Sequence, residues 1–98
     1  MIEIHRIKVN PGVKCSIHQH KHKWNMFYCV NGVIHIHVRK KAYDLVDVTK
    51  LLPGEYTSVK PGEYHWFETQ LNDAELLEIY YLEPITEDIV RETVGGIV

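Results

Sequence analysis

Turn signals divide this chain into pieces too short for a helical fold. Asn10-Pro11-Gly12, Asn31-Gly32, Pro53-Gly54, Pro61-Gly62 and Leu71-Asn72-Asp73 favour turns, and Lys21-His22-Lys23 and Arg39-Lys40-Lys41 add polar breaks. The runs between them are β-branched or alternate apolar with polar residues, which is the period-two pattern of strands. The pattern predicts strands at Ile2–Val9, Val13–His20, Met26–Val30, Val33–Arg39, Leu45–Leu52, Tyr56–Val59, Tyr64–Glu68 and Glu75–Leu82. Only Thr86–Thr93 reads as a short C-terminal turn or helix, with Thr86 as its cap and Glu87-Asp88 in its first turn. Many short strands at close spacing build a sandwich or small barrel, so the fold class is all-β.

Composition narrows the function. The 98 residues are expected to form one domain, 1–98, with no internal linker or repeat. Eleven Lys and Arg against thirteen Asp and Glu leave a formal charge of −2, which supplies no basic footprint for nucleic acid. No apolar run approaches the roughly 20 residues of a membrane span. The start, Met1-Ile2-Glu3-Ile4-His5-Arg6, lacks the basic and apolar segments of a signal peptide, so a cytoplasmic protein is expected. Two cysteines, Cys15 and Cys29, are too few for a disulfide framework. The seven histidines are what is unusual.

Their arrangement points to metal chemistry. In Ser16-Ile17-His18-Gln19-His20-Lys21-His22, a strand would put His18 and His20 on one face about 7 Å apart, with His22 joining them if the strand continues. Imidazoles so placed converge on one ion if a third ligand arrives from elsewhere. His35 and His37 repeat the spacing in Ile34-His35-Ile36-His37-Val38, either lining a pocket or lying half-exposed on the sheet. Trp66 and Phe67 are adjacent in a strand, so one enters the core and the other faces away.

Gly12, His18, His20, Asn25 and Gly32, followed by Gly54 and Pro61-Gly62-Glu63-Tyr64-His65, resemble the two-part signature of the cupin superfamily, G-x5-H-x-H-x(3,4)-E-x6-G and a later G…P-x-G-x2-H segment. The resemblance spans positions 12–65. It implies a double-stranded β-helix, or jelly-roll barrel, with His18, His20 and His65 as metal ligands. Asn25 stands where the family carries its acidic ligand, Lys60 where proline is frequent, and Thr69 where Asn is frequent. Three neutral imidazoles leave the full +2 of a divalent ion uncompensated, so the site is expected to favour a small anionic ligand. Imidazole donors suit Zn, Fe, Ni, Co or Cu, with Mn less favoured. Asn25 or His22 is the expected additional ligand or neighbour of the site, and His35, His37, Trp66 and Phe67 its pocket.

Within that superfamily, Ser16–Lys23, Lys60–His65 and the tail Leu77–Arg91 are similar to the isomerase domain of type II mannose-6-phosphate isomerases. That resemblance implies an aldose–ketose isomerase, with Lys23 or Arg91 meeting a phosphate and His22, Glu63 or Glu68 as base. The alternatives are a three-histidine metal-dependent dioxygenase and a non-catalytic protein that binds a sugar or other small anion. If His20 and Asn25 both face the metal, Cys15 faces out, Cys29 faces in, and the thiols stay separate. Strand Ile2–Val9 is expected to add to a neighbour's sheet in a homodimer.

Overall fold

Seven strands follow one another among the described residues: β1 (Ile2–Val9), β2 (Trp24–Asn31), β3 (Ile34–Lys40), β4 (Leu45–Leu51), β5 (Tyr56–Val59), β6 (His65–Glu68) and β7 (Ala74–Tyr81). The computed structural model describes residues 2–40, 44–82 and 90–97. The chain is all-β over those residues. Residues 86–89 of the expected C-terminal helix lie outside them, and 90–97 form neither helix nor strand. No helix among the described residues is long and apolar enough to cross a membrane.

The strands build two antiparallel sheets, ordered β1-β7-β2-β5 and β4-β3-β6. Directly paired residues share a face, so the registers identify which side of each sheet is internal. Val9, Phe27, Cys29, Val59, Ala74 and Leu76 from the four-stranded sheet meet Ile34, Ile36, Leu51 and Phe67 from the other in one core. Sequential alternation did the rest: once Phe27 and Cys29 point inward, Asn25 must point inward too.

Gly32 occupies the β2–β3 turn with φ +76°, in the left-handed region that side chains disfavour. A Cβ there would strike the Asp73 carbonyl and sit 2.9 Å from the Ala74 Cα, so only glycine lets this turn seat against the start of β7.

One expected strand does not form. Val13–His20 makes only isolated bridges to β6, Lys14↔Glu68 and His18↔His65. Four residues of advance on one side match three on the other, so the segment carries one extra residue. That bulge turns Lys14 outward over the Trp66 ring, 5.1 Å from its centroid, yet brings His18 inward beside His65. It also corrects the placement of Cys15, which packs half-buried against the core instead of facing out. Cys15 and Cys29 are both free thiols, as expected. The Cys15 thiol is pushed up, chiefly by burial.

Candidate metal centre

Three elements converge at one end of the interior. The bulged segment supplies His18, the chain just beyond it supplies His20, and β6 supplies His65. Backbone hydrogen bonds lock the approach: His65 N–H donates to the His18 carbonyl at 2.8 Å, and Gly62 N–H donates to the His20 carbonyl at 2.8 Å. One ligand atom from each imidazole lies within 4.8 Å of the others. The ring centroids are 4.6 Å (His18–His65), 5.1 Å (His18–His20) and 5.4 Å (His20–His65) apart.

The hydrogen bonds select which nitrogens are available. Nδ1 of His18 donates to the Ser16 carbonyl at 2.9 Å, and Nδ1 of His65 donates to the Glu63 carbonyl at 2.9 Å. A carbonyl only accepts, so Nε2 of each ring keeps its lone pair, as in histidines oriented to ligate metal. Nε2 of His20 is buried and has no hydrogen-bond partner. Burial, reinforced by the charge of His18 and Lys23, pushes the His20 pKa below its ordinary value. Burial also lowers that of His65, against opposition from the Glu63 carbonyl and the charge of Glu78. Neutral imidazole is the form that binds metal. The donor set and the orphaned Nε2 therefore fit a divalent ion.

Asn25 completes the wall. It is 1% exposed on β2, its Nδ2 lies 3.3 Å from Nε2 of His65, and its Oδ1 has no partner. Phe27 packs edge-on against His65 at 5.8 Å, and Tyr80 packs against His20 at 5.1 Å.

The other expected site residues lie elsewhere. His22 is exposed in the bend after His20 and does not join the three-histidine group. His37 pairs with Trp66 and His35 with Glu68 across β3 and β6, whereas His65 pairs with Val38. His35, His37 and Trp66 thus occupy the opposite face of that sheet from His65, because residues one apart in a strand point to opposite sides. There His37 stacks on Trp66 at 4.9 Å, and its Nε2 meets Glu68. Phe67 belongs to the core, 6.4 Å from Phe27. Of the candidate bases, Glu68 is on that outer face and Glu63 is engaged by Lys40 at 2.9 Å.

Sequence reasoning passed over Glu78 and Tyr80. Both lie on the inner face of β7, where Glu78 pairs with Phe27 and Tyr80 with Asn25. The Tyr80 hydroxyl donates to the Glu78 carboxylate, and burial together with that bond pushes the Tyr80 pKa upward. The available signal was the shared parity of Leu76, Glu78 and Tyr80. It was masked because Leu77, Ile79 and Tyr81 make the other face at least as apolar. Beside Tyr80, a half-open cleft of about 190 Å³ is lined by Glu3, Lys23, Tyr80, Tyr81 and Leu82.

Known structures share this arrangement of sheets. KdgF from a Halomonas species superposes with a TM-score of 0.70 at 15% identity, covering 88% of this chain and 73% of that one. The CENP-C cupin domain of Drosophila melanogaster gives 0.73 at 14% identity, covering 80% of this chain and 59% of its own. The chain has the cupin fold. A third cupin-fold protein, a predicted oxalate decarboxylase from Thermotoga maritima, gives 0.69 at 23% identity, with 82% of this chain and 65% of that one covered. The chain thus spans less than two thirds of the Drosophila and Thermotoga chains. No family profile and no curated protein sequence matches it.

Proposed function

We propose that this cupin-fold protein holds a divalent first-row transition metal (Zn, Fe, Ni, Co, Cu or Mn) on His18, His20 and His65 and uses it to bind a small anionic molecule. One observation carries the reading: three converging imidazoles, two with Nδ1 tied to backbone carbonyls and the third with a buried, unpartnered Nε2. When bound, such an ion supplies Lewis acidity, polarising an oxygen of its ligand.

The chain's own residues shape the rest. Phe27 and the core beneath it exclude water from the His65 side. Asn25 offers an uncharged amide that turns either its nitrogen or its oxygen to the bound molecule. Lys23, 3.6 Å from Glu3 and over the Tyr80 ring, stands at the adjoining cleft where an anion would approach.

For the chemistry, the isomerase resemblance supports sugar-phosphate turnover, with Lys23 on the phosphate. The three-histidine set with Asn25 in place of an acid favours a second reading, a metal-dependent dioxygenase, which needs no separate base once the metal acidifies its substrate. Non-catalytic binding of a sugar or other small anion is the third. The unpaired thiols support a reducing, cytoplasmic setting. A homodimer is supported by the outer face of the four-stranded sheet, where Ile2 and Ile4 are 66% and 62% exposed beside Ile79 and Met26.

Metal analysis of the purified protein tests the reading. About one first-row divalent ion per chain is expected, lost in His18→Ala and His65→Ala. Full retention in both variants overturns it. Mannose 6-phosphate turnover, oxygen uptake, or ligand binding without turnover then separates the three chemistries.

A further inference from the structure

Three glutamates are buried among the described residues: Glu63, Glu75 and Glu78. Two meet a cation, Glu63 with Lys40 at 2.9 Å and Glu75 with Arg6 at 2.8 Å. Glu78, 7% exposed, meets no cation among the described residues and is bonded there to the Tyr80 hydroxyl. His5 sits opposite Glu78 in the β1–β7 register, yet its Nε2 turns to Glu3 at 3.5 Å. A buried carboxylate without a cation is costly, since one hydroxyl replaces little of its hydration.

Its position suggests what offsets that cost. Glu78 pairs across the strands with Phe27, whose ring contacts His65, and its hydroxyl partner Tyr80 packs on His20. A dication held by three neutral imidazoles beside Asn25 is the mirror problem, a buried positive charge with no anion among its ligands. The charge of Glu78 reaches His65, and in a medium of low dielectric each charge relieves the other.

We propose that Glu78, oriented by Tyr80, is the buried counter-charge for the metal at His18, His20 and His65, taking the role left open by Asn25; this rests on the metal reading above. Glu78 is a positioning and charge-compensating residue and not a fourth ligand, because it does not belong to the converging group.

The proposal makes the sign of one substitution depend on the metal. Zinc affinity by competition titration and thermal unfolding with and without zinc are measured on the full chain, wild type and Glu78→Gln. Glu78→Gln is expected to weaken zinc binding at least tenfold while leaving the zinc-free protein as stable or more stable. Adding Asn25→Asp to that variant is expected to restore the affinity, because it returns a negative charge to the site. Glu78→Leu, which removes the charge without leaving an amide to satisfy, is expected to behave like Glu78→Gln. Unchanged zinc affinity in folded Glu78→Gln overturns the inference and leaves the metal reading intact. Failure of both Gln and Leu variants to fold without zinc also overturns it, since the carboxylate would then be a structural requirement. If the wild type binds no zinc or other first-row ion, the metal reading fails and this inference with it.

Discussion

The side-chain amide of Asn25 lies 3.3 Å from Nε2 of His65, and His65 gives its Nδ1 proton to the Glu63 carbonyl. The imidazole can therefore only accept at Nε2, so the amide nitrogen, and not its oxygen, faces it. Metal at His65 takes the same lone pair, and the Asn25 amide must release it.

Asn25→Asp replaces that amide with an anionic oxygen where the superfamily signature has an acid. Metal affinity is expected to rise. The metal-free protein is expected to lose stability, because a second buried carboxylate joins Glu78 on the same inner face. Competition titration and thermal unfolding, each with and without metal, check both signs; weaker binding would contradict the assignment.

Acid acts on the site in a definite direction. Both His20 and His65 have pKa values lowered from 6.5, so below that pH the unfolded chain takes up protons that the folded chain resists. Stability of the metal-free protein is expected to be full above pH 6.5 and to fall as pH drops from there toward the lower folded values. Bound metal holds the imidazoles deprotonated, so metal release on acidification is expected to coincide with a steeper loss. Denaturation midpoints across this pH range, with and without metal, provide the measurement. A midpoint independent of pH between neutrality and mild acid would count against buried neutral histidines.

Phe27 links the core to the site, touching Phe67 at 6.4 Å and His65 at 5.8 Å. Phe27→Ala is expected to cost roughly 3–5 kcal/mol through the cavity it leaves. Phe27→Leu is expected to cost less and keep the fold. Both are expected to weaken metal binding by freeing the His65 ring, as read by metal titration of whichever variant stays folded.

Ile4 pairs with Ile79, and Ile79 with Met26, on the outer face of the four-stranded sheet. A second copy covering this apolar strip would make the protein a dimer in sedimentation. Ile4→Glu is expected to yield the mass of one chain without loss of metal binding. A monomeric wild type would rule out the interface.

Most of the fold was legible because strands and turns are local. The Gly and Pro turns and the period-two runs placed all seven strands found among the described residues, with ends within about two residues. Val13–His20 failed as a strand because one extra residue between Lys14 and His18 is absorbed only when β6 is present as its partner. His18 and His20 were legible from their spacing, and Asn25 and His65 from the motif. His35 and His37 were not placed by their own alternation, since alternation separates two faces without naming the inner one. The same ambiguity hid Glu78.

Local covalent order thus determined that the chain is all-β, where it turns, that glycine holds position 32, and that an amide stands at position 25 among histidines. Only the packing of one sheet on the other decided which face of each strand is internal. That choice brought His65 to His18 and His20, sent His37 and Trp66 to the opposite side, and buried Glu78 on the same inner face as Asn25 and Tyr80. Face selection depends on contacts between residues far apart in the chain, and a strand's own sequence carries that information weakly when both its faces are apolar.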